Sequence, residues 1–253
     1  MAKIISIINQ KGGVGKSTIA FNLSVGLYKE GKKILLIDLD SQCSITQTSK
    51  ADTQKPTIYE VLVGETKISD AIQSMQEAKI ISGSSSLANI DVVLSGTGKE
   101  YRLKENLASI KDNYDFIIID TPPSLSIASI NALTASKYML VPALADAYSL
   151  AGVGQLYQTF KAVKTYCNLD LEIIGIVLNR VTPQTILTRD MTAMAKDLAS
   201  QIGTKVLDSV LREYSAIKEA QALRTNIFDY APKHNATKDY KNFIKEFNQI
   251  IGE

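Results

Sequence analysis

The sequence has 253 residues but only two cysteines, Cys43 and Cys167, and a single histidine, His234. Two thiols are too few for a disulfide framework and fit a reducing compartment. A lone histidine excludes a multi-histidine metal site and argues against a histidine-based catalytic centre. No apolar run reaches the roughly 20 residues that a membrane-spanning helix needs. The apolar stretch at 4–8 is too short for a signal-peptide core and runs straight into Asn9-Gln10-Lys11. A cytoplasmic location is therefore expected. Charge of one sign is also missing: the formal net charge is only +2, so any nucleic-acid contact must come from a local basic patch. There is no internal repeat, low-complexity tract or long linker, and one domain over residues 1–253 is expected.

What is present is alternation. Apolar, β-rich runs predict strands at 3–8, 33–38, 90–94, 116–120, 138–142, 173–178 and 205–211. Several are apolar at nearly every position, as in strands buried on both faces of a parallel sheet. Amphipathic stretches predict helices at 16–30, 57–62, 68–76, 99–110, 124–135, 149–166, 185–201 and 237–251. The alternation implies an α/β fold: a doubly wound, mostly parallel twisted sheet flanked by helices, with ligands at the carboxyl ends of the strands. The least regular segment, 41–57, follows the second strand.

The first strand ends in NQKGGVGKST, which matches G-x-x-x-x-G-K-[ST] if the first glycine is relaxed to Gln10. Gly12, Gly13 and Gly15 let the loop around Val14 turn its N–H groups toward phosphate oxygens. The helix that follows aims the positive end of its dipole at the same anion. Lys16 is expected to reach the β- and γ-phosphates, Ser17 to offer its hydroxyl to Mg²⁺, and Thr18 to donate to the α-phosphate. The expected ligands are ATP and Mg²⁺. Two further apolar runs close on carboxylates, ILLIDLD at Asp38 and Asp40, and FIIIDTPP at Asp120. A strand's carboxyl end puts these charges beside the phosphate loop, and Asp120 is expected to hold Mg²⁺ directly or through water. Pro122-Pro123 forces an extended exit from that strand.

A second lysine, Lys11, precedes the glycine pair and makes the pattern K-G-G-x-G-K-[ST]. This resembles the deviant phosphate loop of the ParA/MinD/nitrogenase-iron-protein group. The resemblance implies a homodimer formed with ATP, in which Lys11 crosses to the phosphates bound by the other subunit, much as an arginine finger acts in trans. It also implies that Asp40 orients the attacking water, that Asp38 supports the magnesium shell, and that Asn179 contacts adenine. The family's D-x-D-P-Q segment has Ser41 in the proline position here but keeps Gln42.

The likeness extends along nearly the whole chain, through TIYEVL at 57–62, VPALADAYSLAGVGQL at 141–156 and the stretch from SVLREYS to the end. With the loop beginning at residue 11, the sequence resembles the short, Soj-like ParA form that lacks an N-terminal helix-turn-helix domain. That form implies a slow ATPase stimulated by a ParB-like centromere-binding protein, non-specific DNA binding and nucleoid association. Candidate DNA-contacting residues are Arg180, Arg189, Arg212, Lys218, Arg224, Lys233, Lys238, Lys241 and Lys245. Residues 205–253 hold eight Lys/Arg against seven Asp/Glu, so only folding or dimerisation could gather a basic face. Two alternatives stay open. Tyr240, Phe243, Ile244, Phe247, Ile250 and Ile251 form an apolar stripe that a MinD-like protein would lay on lipid, although a docked core helix and no membrane contact are expected. An ATP-dependent ligase of the dethiobiotin or cobyrinate type shares the fold, but the acceptor pocket it needs is not seen.

Overall fold

In the computed structural model, which describes residues 2–75, 78–182 and 186–252, the apolar runs become adjacent strands of one sheet. The strands are β1 (Lys3–Ile7), β2 (Ile34–Asp38), β3 (Ile72–Ser74), β4 (Lys79–Ile81), β5 (Phe116–Asp120), β6 (Tyr138–Ala143), β7 (Glu172–Val181) and β8 (Leu211–Arg212). Their order is β3-β4-β2-β5-β1-β6-β7-β8. Every pairing is parallel except that of β3 with β4. The first half of the helices comprises α1 (Lys16–Lys29), α2 (Ser44–Thr48), α3 (Ile58–Val63), α4 (Ile68–Ala71), α5 (Ile90–Val93) and α6 (Arg102–Ala108). The second comprises α7 (Ile127–Ala135), α8 (Ala147–Tyr166), α9 (Ile186–Gln201), α10 (Ser215–Ala222), α11 (Ile227–Tyr230) and α12 (Asn235–Ile251).

The two-residue period of a strand divides the apolar runs between two cores. Ile5, Ile7, Leu36, Phe116 and Ile118 face α1, α10, α11 and α12, joining Leu23, Leu27, Phe243 and Phe247. Their neighbours Ile4, Leu35, Ile37, Ile117 and Ile119 face the opposite way, joining residues of α3, α6 and α7. A third cluster lies under α8 and α9, around Met139, Val141, Leu156 and Phe160. Helix ends follow local chemistry. Thr57 and Glu60 form a reciprocal capping box at the start of α3, and Gly64 ends it in the left-handed region.

Three expectations need correction. Residues 90–94 are not a strand: α5 occupies Ile90–Val93, because Ile90 and Leu94 are buried while Val92 is exposed, a helical spacing. The strands beyond β2 are β4 and, at the edge, β3 instead. The helix expected at 68–76 ends at Ala71, where the chain turns into β3; Gln76 lies outside the described residues. The strand expected at 205–211 is reduced to a single bridge between Val206 and Ile176 and the two residues of β8. The start of the helix expected at 185–201 cannot be compared, since Thr185 lies outside the described residues, but α9 runs from Ile186 to Gln201.

Candidate nucleotide site

The sheet register sets the site. Ile7 at the end of β1 lies opposite Asp120 at the end of β5, and Asp120 lies opposite Asp38 at the end of β2. The phosphate loop leaves β1 at this edge. Buried Asn9 braces it: its amide donates to the Pro142 carbonyl at 2.6 Å, and its side-chain oxygen accepts from the Lys11 N–H at 2.9 Å. Gly13 and Gly15 have φ of 76° and 93°, and Gly15 is the residue from which α1 starts. A side chain at Gly15 would also collide with the Asn179 amide, which donates to the Val14 carbonyl at 2.7 Å. So glycine is required there twice over, by backbone conformation and by space. Gly12 has neither constraint. Lys16 is only 6% exposed and its ammonium donates to the Lys11 carbonyl at 3.4 Å.

Three aspartates gather beside the loop, and their surroundings differ. Asp120 is fully buried, and neither of its carboxylate oxygens accepts a hydrogen bond of ordinary geometry. Burial, followed by the charge of Asp38, pushes its carboxyl well above the usual range, while the Ser17 hydroxyl and Lys16 favour the charged form. Two orphaned, buried acceptors are costly unless a cation or proton satisfies them. This donor set, with the Ser17 hydroxyl close by, fits a magnesium ion. Burial lowers the pKa of Lys16, opposed by Asp120 and Asp40. Burial raises Asp38 to about 6 despite three hydrogen bonds to its oxygens, from Thr46 N, Thr46 Oγ1 and Asp40 N. Asp40 turns its own loop by accepting from the Gln42 N–H at 3.0 Å.

Lys11 lies at the rim. Its ammonium bonds both oxygens of Asp146 at 2.8 Å. Asp146 caps α8 by accepting from the Ser149 N–H at 2.8 Å. Sequence reasoning did not single out Asp146; the signal available was an N-cap aspartate just ahead of a long helix. Gln221 was missed as well. Its amide donates to the Thr18 hydroxyl at 2.7 Å, linking α10 to the first turn of α1. A narrow cleft opens beside this contact, lined by Thr18, Asn179, Leu211, Tyr214, Ile217 and Gln221. It borders the first turn of α1 at Thr18.

The basic residues fall into three groups. Arg212 is turned inward and forms a two-pronged pair with Asp239, and Arg180 lines the same cleft. Lys218 pairs with Glu213 at 2.9 Å, and exposed Arg189 makes a long contact of 3.4 Å with Asp190. Lys238, Lys241 and Lys245 are exposed at helical spacing on α12, with Lys233 before it and exposed Arg224 after α10. The apolar stripe of α12 is used in the core. Phe243 and Phe247 are wholly buried, and Tyr240, Ile244 and Ile251 nearly so. No helix among the described residues is long and apolar enough to cross a membrane.

Comparison with known proteins agrees with this geometry. A family model described as an AAA domain matches residues 2–173. Sporulation initiation inhibitor protein Soj of Bacillus subtilis (strain 168) is 35% identical over 97% of this chain and 98% of its own length. Chromosome partitioning protein ParA of Caulobacter vibrioides is 33% identical over 96% of this chain and 93% of its own. Among solved structures, a putative plasmid partition protein from Borrelia burgdorferi B31 bound to AMPPNP has a TM-score of 0.82 at 28% identity, covering 98% of this chain and 99% of that one. Cobyrinic acid a,c-diamide synthase from Mycobacterium smegmatis with bound ADP and magnesium has a TM-score of 0.84 at 28% identity, covering 97% of this chain and 93% of that one. With the phosphate loop, the carboxylates at the strand ends and the second lysine in one site, the chain belongs to the AAA-domain family and, within it, to the ParA/Soj-type partitioning ATPases.

Proposed function

We propose that this protein is a nucleotide-switched partitioning ATPase that closes into a dimer on MgATP, binds DNA without sequence preference, and is released when a ParB-like partner stimulates hydrolysis. The observation that carries this reading is the division of labour between two lysines of one motif. Lys16 is buried against its own loop, whereas Lys11 stands at the rim, paired with a partly exposed carboxylate. A cation so placed can exchange its partner for the phosphates of a second subunit.

In this mechanism the loop N–H groups from Gly12 to Thr18 and the start of α1 hold the phosphates. Asp120 and Ser17 would hold Mg²⁺, which would supply positive charge to offset the negative charge of the phosphates. Asp40 orients a water for in-line attack on the γ-phosphorus; the bond to the β,γ-bridging oxygen breaks, and ADP leaves with that electron pair. Lys16, with Lys11 supplied in trans, offsets the charge that develops on the transferring group. Asn179, beside the phosphate loop, is the residue proposed to contact adenine. Lys238, Lys241 and Lys245, with Lys233 and Arg224, are the better DNA candidates, since Arg212 is committed to Asp239.

The test is binding to a non-specific duplex with ATP, ADP or no nucleotide at two salt concentrations, with liposomes in parallel. ATP-dependent, salt-sensitive DNA binding is expected, because each phosphate contact displaces counterions and a dimer doubles the contacts. Liposome binding instead would overturn the reading. Likeness to the diamide synthase favours one other reading, an ATP-dependent amide ligase. Phosphate release by the purified chain with no carboxylate acceptor present separates the two.

A further inference from the structure

The loop that carries Asp40 is pinned by a residue that belongs to neither the phosphate loop nor the aspartate motif. Thr46 lies in α2, eight positions after Asp38, and is 5% exposed. Its backbone N–H and its hydroxyl both donate to the same oxygen of Asp38, at 2.9 and 2.7 Å. The hydroxyl oxygen in turn accepts from the Gly83 N–H at 2.7 Å. Because a backbone N–H can only donate, the threonine proton is committed to the carboxylate. The other Asp38 oxygen takes the Asp40 N–H at 3.2 Å.

Three separate stretches therefore meet at one hydroxyl: the end of β2, the short helix α2 and the loop after β4. That last loop is itself anchored, because the Ser82 carbonyl accepts from the Ile58 N–H at the start of α3. Gly83 also has little room for a side chain, and one there would have to push this segment aside by a few tenths of an ångström. A β-carbon there would stand 3.0 Å from the Asp38 carbonyl oxygen, 3.1 Å from Cγ of Asp38 and 3.2 Å from the Asp40 carbonyl oxygen. Between the two anchors the chain makes a tight excursion, with Asp40 turned by Gln42 and Cys43 in the left-handed region at φ 54°. Held at Asp38 and again at Thr46, the excursion has little freedom left, and Asp40 sits inside it.

We propose that Thr46, backed by Gly83, is a positioning residue for hydrolysis: it fixes the Asp38–Asp40 segment so that Asp40 is aimed at the water. The two buried strand-end aspartates then divide their work. Asp120, whose oxygens accept no hydrogen bond of ordinary geometry, is the one free to take the cation, while Asp38 is occupied by three donors and serves as the loop's anchor. The inference rests on the reading that Asp40 orients water, so its test must separate the two.

The experiment uses the full chain and compares Thr46→Val, Thr46→Ser, Gly83→Ala and Asp40→Ala in single-turnover hydrolysis, binding of a fluorescent ATP analogue with Mg²⁺, and thermal melting. Thr46→Val, which removes the hydroxyl at constant shape, is expected to slow hydrolysis by about 10- to 100-fold, the order of effect of displacing a catalytic group by about an ångström. Analogue affinity should stay within about threefold, as the phosphate loop is untouched. Thr46→Ser, which keeps the hydroxyl, should restore most of the rate. Gly83→Ala reaches the same segment from the other side and should slow hydrolysis likewise, which keeps the test alive if Thr46→Val folds poorly. Wild-type rates in both Thr46→Val and Gly83→Ala would overturn the proposal, as would parallel loss of rate, affinity and melting temperature in Thr46→Ser. If Asp40→Ala turns over normally, the water-orienting reading itself has failed. If Asp40→Ala is inactive while Thr46→Val is unaffected, only the anchor has failed.

Discussion

Lys11 and Asp146, separated by 135 positions in sequence, are joined by two contacts of 2.8 Å between the motif's leading lysine and the cap of α8. The pair is partly exposed, with side-chain exposures of 30% and 36%, so its own contribution to stability is small, about 0.2–1 kcal/mol. Its consequence is positional: the ammonium that would cross to a second subunit is held on its own. Asp146→Asn removes the charge but keeps a good N-cap for Ser149. This variant is expected to melt within about 2–4 °C of wild type, the size of a 1 kcal/mol change in a chain of this length. Its MgATP-dependent dimer should form at lower protein concentration, read by light scattering or sedimentation. Unchanged dimerisation in Asp146→Asn would show that the pair does not restrain Lys11.

Asp120 carries a different expectation. Its two oxygens are buried without hydrogen bonds, which is costly in the absence of a cation. Asp120→Asn removes the buried charge and is expected to raise the melting temperature of the ligand-free protein by a few degrees, about 1 kcal/mol. The same variant should lose the Mg²⁺ dependence of nucleotide binding, followed by titrating the metal at fixed ATP. A variant that melts lower and still responds to Mg²⁺ would remove Asp120 from the metal site.

The C-terminal helix gives a test of core against membrane. Phe247 is wholly buried and its ring centroid lies 6.2 Å from that of Phe116 in β5. Phe247→Ala should cost about 3–5 kcal/mol, as for a large core side chain. The check is a denaturant melt. A variant as stable as wild type would mean that the helix can leave the sheet without penalty.

Arg212 and the α12 lysines should separate cleanly. Arg212 satisfies a buried Asp239, so Arg212→Ala leaves that carboxylate with only the residue 212 backbone N–H, without its charged partner, and should cost about 1–3 kcal/mol in stability. Removing Lys238, Lys241 and Lys245 together should leave melting almost unchanged. It should weaken DNA binding at every sequence and flatten its dependence on salt, since fewer counterions are released. Full DNA affinity in the triple variant would place the DNA face elsewhere.

The motif residues were legible because their information is local. Gly13, Gly15, Lys16 and Ser17 sit in one loop between a strand and a helix, and a buried strand ending in aspartate can be read at Asp38 and Asp120 alike. The misread segment at 90–94 failed for a local reason too: four apolar positions around Asp91 look like a strand until burial shows that only the first and last residues face the core. Arg212 looked like a surface cation because nothing near it in sequence reveals Asp239.

The sequence by itself determined the phosphate loop, the strand-end carboxylates and the alternation that builds a parallel sheet, since each depends on backbone conformation and periodicity within about ten residues. Only the tertiary structure decided which partner each of those groups received. Lys11 met Asp146, Asn179 met Val14, Asp38 met Thr46, Thr46 met Gly83, and Asp120 met no donor at ordinary hydrogen-bond geometry. Apart from the Asp38–Thr46 contact, which spans only eight positions, those partners come from elements far apart in the chain, and their meeting is set by strand order and register, which no short stretch of sequence encodes.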